Sequence, residues 1–216
     1  MPASMTFTSL QAQLQSYLER GGSVTDPTVF SQLPALINLA ELSISRRLKI
    51  LGQIVPMLST LNANVPVYSK PNNWRRTISM NFGTGTGQNT HTPLFPRSYE
   101  YCRAYWPDDT VTGPPEFYAD YDFNHWFIVP TPATNYPWEI IVSTVPQLLD
   151  STNQTNFWTN FTPEVLLYRA LLECTPFLKN DERIQTWKGM YEEAITNLNT
   201  EDLLRVPDRA AVRKEA

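Results

Sequence analysis

The sequence has few cysteines and few histidines. Its two cysteines, Cys102 and Cys174, form no C-x-x-C motif, so nothing indicates a disulfide framework or a cysteine-based metal site. The two histidines, His91 and His125, lie in predicted loops and are separated by 33 residues. No His or Cys cluster therefore has the spacing of metal ligands, and we expect no metal and no cofactor.

Long apolar runs and basic stretches are also missing. No apolar run approaches the ~20 residues that span a bilayer, and residues 1–8 lack the basic and apolar regions of a signal peptide. The net charge of −4 disfavours a tightly held nucleic acid, because such proteins usually carry a basic stripe. We expect a protein that is made in the cytoplasm and has no membrane partner.

The fraction of charged residues, 18%, is low for a globular protein, for which about 25% is usual. Such a surface is typical of a subunit that buries part of its exterior against other chains. A neutral, β-rich surface with many Asn and Thr residues explains the same composition equally well.

Catalytic motifs are absent. The glycines at 83, 85 and 87 are not followed by the lysine and hydroxyl of a phosphate loop, and there is no G-x-S-x-G elbow. A glycosidase needs two carboxylates about 5–9.5 Å apart across a cleft, which a sequence does not show. The acids available for that role are Asp108, Asp109, Glu116, Asp120 and Asp122. We therefore expect that the protein is not an enzyme.

Helical signals occur at both ends of the chain. Thr8 is a candidate N-cap for a first helix, and Asp26-Pro27 is a second start signal. Pro34 is expected to break or restart that second helix. Near the other end, Thr162-Pro163 is predicted to open a nearly all-apolar, central helix, and residues 181–204 have the pattern of a long amphipathic helix.

The middle of the chain has a different pattern, rich in proline, aromatic and β-branched residues. Residues 74–82 partly alternate as a strand, and residues 97–105 suit a short helix in which Tyr101 and Tyr105 stack. Further strands are predicted at 116–123, 125–129 and 138–145, whereas residues 83–92 are predicted to be a flexible loop.

This order predicts an α+β fold in which helices from both chain ends form a helical bundle with one shared hydrophobic core. The predicted domains are a helical bundle domain from residues 1–52 and 153–205, an inserted β-rich subdomain from 53–152, and a C-terminal extended arm from 206–216.

Two segments have alternative interpretations. The aromatic residues of the middle form either the core of a small β subdomain or an exposed binding platform, for which Trp106 and Trp126 are the candidate interface aromatics. The C-terminal tail is either a frayed end or an arm that orders on a neighbouring chain. The arm residues are Arg205, Pro207, Arg209, Val212, Arg213 and Lys214.

Four stretches, residues 7–21, 26–52, 70–82 and 166–205, resemble the head-to-tail adaptor (connector) proteins of tailed bacteriophages, in particular those of short-tailed phages. The resemblance covers most of the chain, but its residues are scaffold residues rather than a catalytic signature. It implies a structural virion protein at the head-tail junction. Adaptors of this kind form a ring, typically dodecameric, below the portal protein, and a C-terminal extension commonly reaches onto the portal.

The resemblance further implies docking of nozzle, tail hub or tail fibre proteins, and passage of DNA through the lumen with weak, non-specific contact. A carbohydrate- or receptor-binding tail module that uses the tryptophans of the middle is the alternative function. A cell-wall hydrolase is a third hypothesis, which the lack of a paired-carboxylate or metal signature disfavours.

Overall fold

The structure, a computed structural model, describes residues 5–48, 50–83, 91–177 and 182–205. Two compact units are present: a helical unit of residues 1–53 and 145–216, and a sheet unit of residues 54–144. The mixed α+β class predicted from the sequence is confirmed. Residues 145–152, which were predicted to belong to the β-rich subdomain, lie with the helices in this division. That the units are separate domains stays a prediction.

Six α-helices lie within the described residues. They are α1 (Phe7–Leu18), α2 (Pro27–Arg47), α3 (Tyr99–Tyr105), α4 (Phe157–Phe161), α5 (Pro163–Glu173) and α6 (Arg183–Arg205). All except α3 belong to the helical unit. In that unit α5 contacts α1, α2, α4 and α6, which confirms its predicted central position. Its Val165, Leu166 and Leu171 are completely buried because apolar residues occupy most of its circumference.

The first helix begins two residues earlier than Thr8 suggests. The hydroxyl of Thr6 accepts the Ser9 backbone N–H at 3.1 Å, and the Ser9 hydroxyl accepts the Thr6 N–H at 2.8 Å. This reciprocal capping box satisfies two donors at the helix start, so Thr6 and not Thr8 is the N-cap. The prediction that Thr8 is the N-cap was wrong. Either threonine can precede the apolar residues that recur at helical spacing, so the sequence pattern did not distinguish them.

Helix α2 continues through Pro34. The expectation of a break was wrong, although the ring removes one main-chain hydrogen bond. The helix persists because Leu33 and Ile37, on either side of the proline, are both completely buried in the core of the helical unit. Burial of such side chains contributes about 1.5–3 kcal/mol each, which offsets the lost bond.

The sheet unit contains nine strands in the part of the chain that is described. They are β1 (Ile54–Leu61), β2 (Val67–Ser69), β3 (Trp74–Phe82), β4 (Thr92–Pro96), β5 (Thr112–Gly113), β6 (Phe117–Asp120), β7 (His125–Val129), β8 (Thr131–Pro132) and β9 (Tyr136–Thr144). Seven form one mixed sheet in the order β1-β9-β3-β4-β6-β7-β2, and β5 pairs with β8. The predicted strand at 74–82 is confirmed, whereas β1 and β2 were not predicted as strands.

The main sheet is apolar on both faces. Successive residues of a strand point to opposite faces, and Trp126 and Phe127 of β7 are both completely buried in different clusters. One cluster contains Met80, Trp126 and Trp138. The other contains Cys102 of α3 beside Phe127. Helix α3 therefore covers part of the face opposite to Trp126.

Helix α3 also explains the parallel pairing of β4 with β6. Parallel neighbours need a crossover connection rather than a hairpin, and α3 lies in the connection between these two strands. The other pairs of the main sheet are antiparallel. This topology determines which aromatic side chains meet beside α3.

Candidate interaction surfaces

A group of aromatic side chains lies where α3 meets β4 and β6. Phe95 and Phe117 are register partners in the parallel pair, so both point to the same face of the sheet. Phe95 is 56% exposed. We call this group the aromatic patch and define it by Phe95, Arg97, Tyr101, Tyr105, Trp106 and Phe117.

The rings of the aromatic patch contact one another in a chain. The ring centroids of Tyr101 and Tyr105 are 4.6 Å apart, so the predicted i, i+4 contact on α3 is present, but the rings are inclined at 39° and are tilted rather than stacked. Tyr105 lies 6.1 Å from Trp106, and Trp106 lies 5.6 Å from Phe117. These separations are within the favourable range for aromatic pairs. The half-buried rings hold Tyr105 in place although it is 66% exposed.

Arg97 adds a positive charge to the aromatic patch. Its guanidinium carbon lies 5.3 Å from the Tyr101 ring centroid and 5.4 Å from that of Phe117. Such cation–π contacts are worth about 0.5–1 kcal/mol at exposed sites. Arg97 is exposed, and among the described residues no carboxylate forms an ion pair with it.

The structure separates the two tryptophans that the sequence selected as interface aromatics. Trp106 is half-buried within the aromatic patch. Trp126 is 0% exposed, and its indole N–H donates to the Thr77 hydroxyl at 2.9 Å inside the cluster on the other face of the sheet. In this fold Trp126 is a core side chain without surface for a partner. A platform that uses both tryptophans is therefore excluded.

A second surface is the outer edge of the main sheet at β1. This strand pairs with β9 over all eight of its residues, and no other described strand pairs with it. Val55 is exposed and Leu58 is 64% exposed, and the strand has no charged residue. Pro56 lacks an N–H and is tolerated here because edge strands leave alternate donors unpaired. A long, uncharged edge is a site for strand pairing with another chain.

Three of the acidic residues considered for catalysis form ion pairs or hydrogen bonds with neighbouring side chains. Asp120 forms an ion pair with the buried Lys70 ammonium at 2.7 Å, and Asp109 pairs with Arg103 at 2.5 Å. Asp122 lies 2.8 Å from His125 Nδ1, and this hydrogen bond lowers the pKa of the Asp122 carboxyl group. These contacts stabilise the turn regions of the sheet unit, and the Lys70 ammonium joins two of the acids, because it also donates to the Asp122 backbone carbonyl oxygen at 2.9 Å.

The cysteines and histidines do not converge on a metal site. Cys102 and Cys174 are free and buried, and burial raises the pKa of the Cys174 thiol to about 12. His91 lies 3.5 Å from Glu139, separate from the pair of His125 with Asp122. In the described part of the chain no group of three or more His, Cys, Asp or Glu residues could hold a metal ion.

The predicted arm lies outside the described residues. Helix α6 ends at Arg205, whose side chain is not described, and Pro207, Arg209, Val212, Arg213 and Lys214 follow it. The arm hypothesis therefore stays a prediction. None of the described helices is long and apolar enough to cross a membrane.

Sequence reasoning found Tyr101, Tyr105 and Trp106 but missed Phe95 and Arg97. Phe95 lies in TPLFP, where Leu94 is buried and Phe95 is exposed. Both residues are apolar and β4 has only five residues, two of them proline, so the sequence carries no alternation that would distinguish them.

Two comparisons bear on identity. A family model described as "SU10 adaptor protein" matches residues 5–213 of the chain. No curated protein matches the chain. The family match thus extends over both the helical unit and the sheet unit.

Proposed function

Because the chain belongs to the SU10 adaptor protein family, we propose that it is a structural virion protein, a head-to-tail adaptor whose copies form a ring below the portal. The family match is the observation that carries this proposal. It confirms the resemblance to phage adaptors that the sequence stretches indicate. The ring extends the DNA channel and provides a docking surface for nozzle, tail hub or fibre proteins.

Exposed apolar surface in the sheet unit supports an assembly role. The aromatic patch exposes Phe95 and Tyr105, and β1 exposes Val55 and Leu58. Aromatic residues and arginine are enriched where proteins meet, and an exposed Arg97 stacked on rings fits this composition. A ring requires two different surfaces on each copy, because its contacts are head-to-tail. The aromatic patch and the edge of β1 are the two candidates.

The helical unit supports the proposal in a different way. Its buried residues form one hydrophobic cluster to which α1, α2, α5 and α6 all contribute. In the proposed arrangement these helices form the bundle that contacts the portal or a neighbouring adaptor. Residues 206–216 then serve as the arm that orders on the portal, with Arg209, Arg213 and Lys214 pairing with its carboxylates.

Weak contact with DNA is part of the proposal. The net charge of −4 gives no electrostatic basis for tight binding to DNA phosphates. In the proposed ring, an acidic channel wall lets DNA slide through without sticking. The protein is proposed to need no cofactor and to catalyse no reaction.

The proposal is tested by mixing the full-length chain with purified portal and imaging the mixture by electron microscopy. The expected result is a ring on the portal, with a monomer or weak oligomer when portal is omitted. A variant that lacks residues 206–216 should keep the circular dichroism spectrum of the full chain but lose portal binding. A full chain that stays unbound at saturating portal contradicts the proposal, whereas unchanged binding of the truncated chain contradicts only the arm.

A carbohydrate- or receptor-binding module is the second candidate, and exposed Tyr105 beside Trp106 favours it. Aromatic faces suit the apolar faces of sugar rings. A glycan array probed with the isolated chain and with Tyr105→Ala tests this function. Binding that Tyr105→Ala abolishes supports it, and an array without signal rejects it.

A further inference from the structure

The direction of the main-chain groups of β1 follows from a contact of its neighbour β9. The Gly83 N–H donates to the Pro137 carbonyl oxygen at 2.8 Å, so Pro137 bonds toward the side of β9 that holds β3. Bonding direction alternates along a strand, and β1 pairs with β9 without a register shift. The residues of β1 that bond to β9 are therefore Val55, Met57, Ser59 and Leu61.

The alternate residues of β1 direct their main-chain groups away from the sheet. These outward residues are Ile54, Pro56, Leu58 and Thr60. All four present a carbonyl oxygen, and all except Pro56 present an N–H. Just beyond the strand the edge is covered, because the Tyr68 hydroxyl accepts the Asn62 N–H at 2.8 Å and donates to the Asn62 carbonyl oxygen at 3.1 Å. Along β1 itself no other described strand pairs with this edge.

No charge on β1 opposes an incoming strand. Residues 50–69 contain no charged side chain, whereas edge strands of soluble proteins commonly carry lysine or another charge that prevents pairing. Val55 is 41% exposed and Leu58 is 64% exposed, and they lie on opposite faces of the strand. Both faces of β1 therefore gain from burial beside another strand.

We propose that β1 pairs with β1 of a second copy of this chain, antiparallel and about a two-fold axis at Met57. In this register Met57 lies opposite Met57 of the second copy. Hydrogen-bonded pairs form between Ile54 and Thr60, and between Pro56 and Leu58. Every outward N–H of both strands then has a carbonyl oxygen as acceptor. The proline leaves only the Leu58 carbonyl oxygen of each copy without a donor.

The neighbouring contacts select this register. An axis at Leu58 places the Ile54 N–H opposite the Asn62 carbonyl oxygen, which already accepts from the Tyr68 hydroxyl. The axis at Met57 avoids that conflict. Identical strands related by a two-fold axis present the same surface to each other, and β1 has no charge that would repel its own copy. A second copy is therefore the occupant that fits this edge.

The pairing competes with the proposed ring for β1. A two-fold contact is complete after two copies, whereas ring contacts are head-to-tail. Paired copies withhold β1 from a growing ring until they separate. One strand pair buries less than the ~1,000 Å² of a stable interface, so we expect a weak dimer. The inference depends on the edge of β1 and not on the family, so a failure to bind portal leaves it standing.

Cysteine cross-linking of the full-length chain tests the register. Val55 of one copy lies opposite Ser59 of the other in a non-hydrogen-bonded pair, with Cα atoms about 4.5 Å apart, which a disulfide spans. A mixture of Val55→Cys and Ser59→Cys chains should therefore link on mild oxidation. The natural cysteines are buried and should not react.

Each cysteine variant alone is the matched control. It should stay unlinked, because the same residue of the two copies is displaced by about 13 Å along the strands. A mixture that does not link at a concentration at which the chain is dimeric overturns the register. Efficient linking of either variant alone overturns it as well.

Sedimentation of the isolated chain without portal tests the pairing itself. The average mass should rise from 24.7 kDa towards twice that value as the concentration increases. Leu58→Lys places like charges near the axis and should raise the concentration needed for half-dimerisation at least ~tenfold. Val24→Lys, at an exposed position in the helical unit, is the control and should sediment like the wild type. A wild type that stays monomeric at every concentration, or a Leu58→Lys chain that dimerises equally well, overturns the proposal.

Discussion

The helical unit and the sheet unit bury their apolar side chains in different ways. The helical unit collects its buried residues from both ends of the chain into one cluster around α5. The sheet unit divides its buried residues between two faces of one sheet, with α3 over part of one face. A helix covers an apolar stripe with other helices, whereas a sheet has two faces and two edges to cover. In the sheet unit, the aromatic patch and the edge of β1 are the exposed surfaces suited to partners.

The units also differ in how they hold charge. The helical unit buries Glu41 among amides, and burial raises the pKa of its carboxyl group. The sheet unit pairs the buried Lys70 ammonium with Asp120, and hydrogen bonding lowers the pKa of Asp122. A paired charge needs no proton to remain buried, but an unpaired carboxylate does. The two units are therefore expected to respond to pH in opposite directions.

The largest expected effect is that of removing a core tryptophan from the sheet unit. Trp126→Ala should lower the free energy of unfolding by about 3–5 kcal/mol, because it leaves a cavity and removes the partner of Thr77. Urea denaturation followed by circular dichroism measures the change. Trp106→Ala is the matched control and should cost clearly less, since Trp106 is half-buried. Equal costs would show that the two tryptophans do not lie in different environments.

The next effect concerns pH. The folded-state pKa of Glu41 is raised from 4.5 to about 7, so its contribution to stability is complete below pH 4.5 and is lost as the pH rises to about 7. The loss amounts to about 3 kcal/mol. Urea midpoints of wild type and Glu41→Gln across this range measure it, and the wild type should lose stability relative to the variant. Parallel curves for the two proteins would contradict this assignment.

The sheet unit should show the opposite sign. The folded-state pKa of Asp122 is lowered from 3.8, so its contribution is present above about pH 4 and is lost as the pH falls through the folded-state value. Because Asp122 is exposed, we expect a small effect. The urea midpoint of Asp122→Asn measured from pH 2 to 6 should depend less on pH below 4 than that of the wild type.

The smallest effect on stability is expected at the edge of β1. Leu58→Lys changes an exposed side chain and should alter the free energy of unfolding by no more than about 0.5 kcal/mol. A lysine on a free edge opposes strand pairing, so ring assembly should decrease. Val24→Lys, at an exposed position in the helical unit, is the control and should leave assembly intact. Equal assembly of both variants would remove β1 from the proposed interface.

Predictability from sequence also differs between the units. The central helix, the long last helix and the strand at 74–82 follow from the periodicity of their own residues, so they were predicted. The continuation of α2 through Pro34 was not, because it depends on the burial of Leu33 and Ile37 against other helices. The aromatic patch was predicted only in part. Tyr101 and Tyr105 are neighbours on one helix, whereas the pairing of Phe95 with Phe117 depends on a parallel register between two strands.

The sequence by itself determined the α+β class, the main helices and the family, because these depend on local periodicity and on residues read in order. Only the tertiary structure decided that Trp126 is interior while Trp106 is near the surface, and that Glu41 is enclosed. The Glu41 contact with Leu149 spans 108 positions along the chain. Local patterns report which side of a segment is apolar, but burial and pKa depend on what distant segments bring to that side.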